Sequence, residues 1–348
     1  MKKIGIVGTG ETVGIAHFHA QGIQKDGRAK VSAVYDLKRE NAERFVSAHG
    51  MDALVCESGQ QLLSLCDAVM ICTPNAFHVP YVLEALQADK ALLVEKPLSI
   101  SLKDCAPILE TLKTHAPFHM VGFVYRYAAQ MQMLREIVQN ELGQVYTYSA
   151  SFGGKRLSDP TLPLEWRMRR ETSGSGALGD FGSHLIDNAY FAAGLRFTSM
   201  TARTSVFVGE RPSDAKGRSF VENDDAAVMI AAAQNHALAS FTVSRVGMDA
   251  LSVLVTGEGG LVRMSLSENG KLYFSPKAKN GGYSGEIRTV DPVPQTYFDG
   301  WFEGEDTAFI DGLYGKPGEY PDLYHGYYVE QLLAMAEESA QKAGEGLA

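Results

Sequence analysis

Five short apolar runs, residues 3–7, 31–35, 68–72, 91–94 and 119–123, punctuate the first third of this chain. Stretches of helical periodicity lie between them, among them 41–49, 79–88 and 102–115. Strands that are apolar almost throughout have to be buried on both faces, and a parallel sheet covered by helices buries them that way. Right-handed crossovers then wind such a sheet outward from its centre. The spacing predicts a doubly wound parallel α/β domain over residues 1–122.

Beyond about Tyr125 the pattern changes. Residues 131–140 read as a helix, and 145–151 alternate as a half-buried strand does. A glycine-rich stretch, 173–182, opens a helical segment at 184–193. Val, Thr, Ser and Phe then dominate from 199 to 274, with period-two runs at 226–232, 237–243, 251–256 and 261–266. Turn signals at Gly257-Glu258-Gly259-Gly260 and Asn269-Gly270 predict an open, mostly antiparallel sheet. The Gly- and Pro-rich residues 280–294 read as a loop, and 307–314 and 327–343 as closing helices. A length of 348 residues suits two domains. The second, an α+β domain, is expected over 123–348, with the last helix able to pack back on the first.

Composition narrows the partners. With 32 basic and 41 acidic residues the formal net charge is −9, which argues against nucleic acid or an anionic membrane surface. No stretch reaches the roughly 20 apolar residues that span a bilayer, and the apolar N-terminus is broken at Gly5, Gly8 and Gly10, too early for a secretory leader. Four cysteines, Cys56, Cys66, Cys72 and Cys105, are too few for a disulfide scaffold of this length. They read as reduced thiols of a cytoplasmic protein. An acidic chain still binds phosphate locally through backbone N–H groups.

The first apolar run ends in Gly8-Thr9-Gly10-Glu11-Thr12-Val13-Gly14, which opens a helix. Glycines there allow a tight turn and close approach of the backbone to a pyrophosphate, while the helix N-terminus supplies N–H donors. Asp36 closes the second run, 22 residues beyond Gly14, where a carboxylate accepts the ribose hydroxyls of a dinucleotide. That carboxylate repels a 2′-phosphate, so NAD is expected over NADP, although Lys38 and Arg39 nearby keep NADP open. Thr73-Pro74-Asn75 with His78 follows the third run, and Glu95-Lys96-Pro97 the fourth. Both sit at strand C-termini, where open α/β sheets hold their ligands. Read singly, Asn75 is also a helix cap and Glu95 with Lys96 a surface ion pair.

In combination these motifs resemble the Gfo/Idh/MocA family of sugar and cyclitol dehydrogenases. The matching residues are Gly8-Thr9-Gly10, the segment from Asp67 to Asn75 with His78, Glu95-Lys96-Pro97, Arg126-Tyr127, Trp166-Arg167, and the segment from Gly176 to His184 with Asp187. The resemblance implies a Rossmann domain followed by an α+β domain whose open sheet forms a homodimer or homotetramer. It also implies NAD as cofactor, a sugar or polyol as substrate, and Lys96, Asp180 and His184 beside the nicotinamide. Three departures stand out: the additional residue before Gly14, Ala129 in place of a proline, and Ser175 in place of a third glycine.

The chemistry of these residues agrees with that implication. Oxidising a carbinol removes a hydride from carbon and a proton from oxygen, and histidine suits the proton transfer near neutrality. Asp180 and His184, four apart, share a helix face, so the carboxylate can orient the imidazole. An ammonium such as Lys96 stabilises alkoxide character. Asp180, His184 and Asp187 as a metal set lack a fourth ligand at recognisable spacing, so no metal is expected. Arg126, Trp166 and Arg167 are weaker candidates for substrate hydroxyls, with stacking or ion pairing as the other reading. His17 and His19 are expected to be structural. Two other functions share the fold: NAD-dependent glycoside cleavage through transient oxidation, and ligand sensing without turnover.

Overall fold

The structure, a computed structural model, describes residues 1–10, 14–213, 217–247, 250–267, 271–285, 287–290 and 297–345. The chain forms two compact units, Met1–Tyr127 with Thr296–Tyr328, and Ala128–Gln295 with Val329–Ala348.

The first unit begins as alternating strand and helix: β1 (Lys2–Val7), α1 (Ile15–Asp26), β2 (Ala29–Tyr35), α2 (Arg39–Ala48), β3 (Leu54–Val55), α3 (Gly59–Leu65), β4 (Ala68–Ile71), α4 (His78–Gln87), β5 (Ala91–Glu95), α5 (Ala106–Leu112) and β6 (His119–Gly122). All neighbours pair in parallel, in the order β3-β2-β1-β4-β5-β6. The chain reverses its winding direction beside β1 and β4, and in such sheets the crevice beyond the strand C-termini there receives the ligand. The expected apolar runs are these strands; β4 is buried at every position. The two-residue β3 escapes periodicity, being too short to show any.

The second unit contains α6 (Ala129–Ile137), β7 (Val145–Gly153), two short helices, α7 (Arg170–Ser173) and α8 (Ala177–Asp180), the longer α9 (Gly182–Ala193), and then strands only. These are β8 (Phe197–Ser205), β9 (Glu210–Ser213), β10 (Gly217–Phe220), β11 (Ala226–Ala233), β12 (Leu238–Ser244), β13 (Ser252–Gly257), β14 (Gly260–Ser265), β15 (Leu272–Pro276) and β16 (Arg288–Val290). Strands β9 and β10 form a separate hairpin, and the rest make an eight-stranded sheet ordered β16-β15-β14-β13-β7-β12-β11-β8. Its pairings are antiparallel except β7 with β12, so the sheet is mixed and mostly antiparallel. Burial alternates along β11 and β12, as period two requires of a sheet covered on one face. Helices α6, α8 and α9 pack on it, over inward side chains that include Tyr148, Phe152, Met229 and Phe241.

Two long helices close the chain, α10 (Tyr297–Leu313) and α11 (Leu323–Glu345). Helix α10 returns to the first unit, where Phe309 and Ile310 join Ile4, Ile6, Ile23, Phe45 and Met70 in one core. It begins ten residues before the expected start at 307, because Gly300 and Gly304 read as breakers. The expected loop at 280–294 contains β16, and its residues 286 and 291–294 lie outside the described ones. No described helix is long and apolar enough to cross a membrane.

Candidate active site

In the first unit β1 delivers Gly8 at φ 88, where an added Cβ would lie 2.7 Å from the Thr73 backbone nitrogen. Only glycine accepts both the left-handed conformation and that approach. Thr9 is buried, and its N–H donates to Asp36 Oδ2 at 2.8 Å. The other carboxylate oxygen of Asp36 accepts from the Lys38 N–H at 2.9 Å and Asn41 Nδ2 at 3.1 Å. Donors from three directions therefore fix Asp36 just beyond β2. A Cβ built on Gly10 would meet nothing within 4 Å, so this stretch of backbone is open to a ligand. Glu11, Thr12 and Val13 lie outside the described residues. Gly14, at φ 73 and ψ 30, caps α1 in the left-handed region, which glycine enters without strain.

Arg39, which kept NADP open in the sequence, is held by Glu43 at 2.7 Å and by Glu57. Across the sheet, Thr73 Oγ1 is buried with no hydrogen-bond partner among the described residues. An oriented carboxylate, an open glycine and an orphaned hydroxyl at strand C-termini together fit a bound dinucleotide.

His78, which is fully buried, lies between the two following loops. Its Nε2 lies 2.9 Å from the Thr73 carbonyl oxygen and its Nδ1 2.8 Å from that of Pro97. Burial pushes this imidazole below its ordinary pKa, against the pull of the two carbonyls. Pro74 and Asn75 open the short turn before α4, with Asn75 buried. Glu95 ends β5 inside the unit, Lys96 follows it half-buried, and the Lys96–Pro97 peptide bond is cis. Among the described residues, one group of His and carboxylate side chains gathers its nitrogen and oxygen atoms within 4.8 Å of one another: His19, Glu95 and Glu305. It is not the Asp180, His184 and Asp187 set weighed from the sequence.

In the second unit Asp180 ends α8 and His184 lies in the first turn of α9, with Phe181 between the helices at φ −95 and ψ −34. Helical conformation is thus nearly continuous across the spacing of four. Asp224 explains why the chain turns here. Its carboxylate accepts from the N–H groups of Gly176 at 2.7 Å and Leu178 at 2.8 Å, and its carbonyl from Ala177 at 3.0 Å. A Cβ on Gly176 would collide with that carbonyl at 1.8 Å. Burial pushes the Asp224 carboxyl up while these N–H donors pull it down. The neighbouring Asn223 ties down the carbonyls of Arg167 and Ser175, and Asp225 pairs with Arg245 at 2.8 Å inside the unit. His184 is 5% exposed, with the Phe152 ring 6.0 Å away and Phe181 edge-on to Phe152 at 4.7 Å. Asp187, one turn on, is fully buried, and its charge adds to burial in raising the Tyr148 phenol.

The weaker candidates divide between the units. Arg126, in the first, is buried, with Nη2 3.0 Å from Nε2 of His325. In the second, the Arg167 guanidinium stacks 4.2 Å over the Trp166 ring. Asp224, Asn223 and His325 were not read from the sequence. Asn223-Asp224-Asp225 did carry a signal, three capping-type residues just ahead of an apolar strand. His325 carried none.

The parallel sheet with its strand-end loops has the architecture of a dinucleotide-binding domain, and the chain adds to it a second domain built on a mixed sheet. A family model described as an oxidoreductase family with an NAD-binding Rossmann fold matches residues 2–123, and the GFO/IDH/MocA C-terminal domain matches residues 131–263. The chain belongs to the Gfo/Idh/MocA oxidoreductase family. Glucose-6-phosphate 3-dehydrogenase of Bacillus subtilis (strain 168) is 28% identical over 353 residues, covering 96% of this chain and 95% of that protein. D-glucoside 3-dehydrogenase of Escherichia coli (strain K12) is 25% identical over 347 residues, covering 97% and 95%. A solved structure of levoglucosan dehydrogenase in complex with NADH and levoglucosan matches with a TM-score of 0.87 at 22% identity, covering 98% and 97%; at that identity the likeness is one of fold.

Proposed function

We propose that this protein oxidises a secondary ring hydroxyl of a sugar, sugar derivative or cyclitol, with NAD as the hydride acceptor and His184 as the base. The observation that carries the proposal is the helix junction at Phe181. There Asp180 closes one helix and His184 opens the next, under a cap built by buried Asp224. A spacing of four across nearly continuous helical backbone puts the imidazole and the carboxylate on one face.

Bound NAD supplies the hydride acceptor. The chain's own residues do the rest. Gly8, Thr9 and Gly10, with Glu11, Thr12 and Val13, would take the pyrophosphate, and Asp36 the ribose hydroxyls. Thr73, Pro74 and Asn75 line the next strand end, with His78 and Glu95 behind them. His184 takes the proton of the hydroxyl, Asp180 keeps the ring oriented, and Lys96 stabilises negative charge on the reacting oxygen. Arg126, Trp166 and Arg167 are the candidates to hold the remaining hydroxyls.

Two full-length relatives are 3-dehydrogenases of glucose derivatives, which supports the C3 hydroxyl of a glucopyranose as the point of attack. Cysteines that are all free suit the cytoplasm. The open face of the mixed sheet suits a homodimer or homotetramer, since Val228, Ile230, Leu238 and Leu254 are exposed on it.

The test is NADH absorbance over a panel of glucose 6-phosphate, methyl glucoside, levoglucosan and myo-inositol. One pyranose should give clear turnover, rising with pH through the neutral range. His184→Asn should lower kcat by roughly 10²–10⁴-fold, the usual worth of a general base, and should lose that pH limb. A variant that keeps near-full kcat removes His184 from the reaction.

A further inference from the structure

The catalytic scheme leaves unused a charged cluster buried in the first unit. His19, expected from the sequence to be structural, sits on α1 with no exposure. Its Nδ1 lies 2.7 Å from Asp306 Oδ1 on α10, and its Nε2 lies 3.1 Å from Glu95 Oε1 at the end of β5. Asp306 and Glu305 are fully buried and Glu95 nearly so. Phe302 closes the site edge-on to His19 at 5.0 Å, and Phe18 stacks on Phe302.

Burying such groups is expensive, and an apolar replacement of equal volume is often no less stable. The cluster therefore calls for a reason beyond stability. A proton count gives its character. Both ring nitrogens face carboxylate oxygens, and an ionised carboxylate only accepts. Each contact needs one proton, so His19, Glu95 and Asp306 share two, either as an imidazolium between two carboxylates or as a neutral ring beside one carboxylic acid. Burial opposes the charge on His19, but Asp306 and Glu95 outweigh it and hold the imidazole well above its ordinary value. Burial pushes Asp306 up to about 6. Charge-assisted bonds of this kind are the strong ones and fix geometry.

What they fix is one flank of a short turn. Glu95 immediately precedes Lys96, and the carbonyl of Pro97, immediately after it, lies 2.8 Å from His78 Nδ1, which donates to it in the Nδ1–H tautomer of the neutral ring. Glu95 is the last residue of β5 and Lys96 the first beyond it, so anchoring the Glu95 side chain fixes the backbone from which Lys96 departs.

We propose that His19, with Asp306 behind it, and His78 are positioning residues for Lys96, clamping the residues on either side of it through buried hydrogen bonds. The inference rests on the role given to Lys96 under Proposed function.

The experiment is a double-mutant cycle between Lys96→Ala and either His19→Gln or Asp306→Asn, two routes to the same anchor. The readouts are kcat on the substrate that the panel identifies, the NADH dissociation constant by fluorescence, and the melting temperature. A fourth readout, spectroscopic, needs neither cofactor nor substrate: the ¹³C resonance of reductively methylated Lys96, assigned by Lys96→Arg. A displaced reacting group commonly costs about 10²-fold, so each anchor variant should lose roughly 10–100-fold in kcat while still folded, and the Lys96 resonance should shift. In the Lys96→Ala background the same substitutions should change kcat by less than about 3-fold, because groups acting as a unit are not additive. Anchor variants that lower only the melting temperature, or whose kcat losses multiply with that of Lys96→Ala, overturn the positioning role and leave the role of Lys96 standing. If Lys96→Ala keeps full kcat, the catalytic reading falls and this inference falls with it.

Discussion

The six-stranded sheet of the first unit is covered on both faces, whereas the eight-stranded sheet of the second is covered on one. Leu92, Leu93 and Val94 of β5 are all fully buried in succession. On β11, by contrast, Val228 and Ile230 are 51% and 60% exposed while Ala227, Met229 and Ala231 between and beside them are buried. The contrast follows from connectivity. Parallel strands need crossovers, and the crossovers are helices that coat the sheet. Antiparallel strands are joined by tight turns such as Glu258-Gly259, which coat nothing. The candidate residues are also placed differently. In the first unit they lie on loops at strand ends, Asp36 being fixed there by backbone N–H groups; in the second Asp180 and His184 lie on helices over the closed face, and the open face carries none of the candidates.

The open face offers the larger test of this contrast. Leu254, Ser149, Ser240, Ile230 and Thr201 are successive register partners, so they form one row across five strands. On the same face Ser149 bonds Ser240 at 2.9 Å and Thr147 bonds Thr256 at 2.6 Å, so these hydroxyls satisfy one another beside exposed Val228, Ile230, Leu238 and Leu254. Such a surface suits a second copy of itself. Sedimentation equilibrium of the wild type should show a dimer or tetramer, and Ile230→Glu with Leu254→Glu should weaken it by roughly 10²-fold or more. The melting transition of the dissociated chain should barely move, since both side chains are exposed before and after. A wild type monomeric at micromolar concentration would mean that the face is simply solvated.

A smaller effect belongs to the first unit. Asp36 is held by Thr9, Lys38 and Asn41, and Arg39 is engaged by Glu43 and Glu57. NAD should therefore bind more tightly than NADP. Asp36→Ser should move the ratio of the two affinities by about 10-fold toward NADP, the scale of removing one repulsive charge near a surface. Fluorescence titration with NADH and NADPH reads it. An unchanged ratio takes Asp36 out of the site, and with it the idea that strand-end loops carry the cofactor chemistry here.

Sequence reasoning reached the two units unequally, and the cause is the distance over which each feature is encoded. The parallel strands announce themselves locally, as do the glycine turn and Glu95-Lys96-Pro97, because each requires particular residue types within a few positions. The Asp224 cap on α8 joins residues 46 apart, and the His19 contact to Asp306 joins residues 287 apart. Neither leaves a periodic trace. For α10 local signals pointed the wrong way: Gly300 and Gly304 look like breakers, yet the helix runs through them, with Gly304 lying where the Tyr127 ring packs. Tertiary contact there overrides propensity.

The smallest predicted effect uses the cysteines, which all lie in the first unit and so report on it alone. Cys56, Cys66 and Cys105 are buried and Cys72 is half-buried, all four free. Burial pushes the Cys66 thiol up to about 11 and the Cys72 thiol up to about 12, the latter despite the nearby His19 charge. Only the thiolate attacks a disulfide reagent. At pH 8 both groups lie far below their raised values, so little thiolate exists, and their reaction should speed up about tenfold per pH unit until those values are approached. Denatured, unreduced protein should titrate four thiols with dithionitrobenzoate, whereas the native protein should release them slowly, at a rate set by opening of the first unit. Saturating NAD should slow that release further, because a ligand of the folded unit disfavours its opening. Substitutions on the open face of the second unit should leave the labelling rate unchanged. If all four thiols titrate within the mixing time in the native protein at pH 8, the doubly covered sheet opens readily, and the contrast between the units fails.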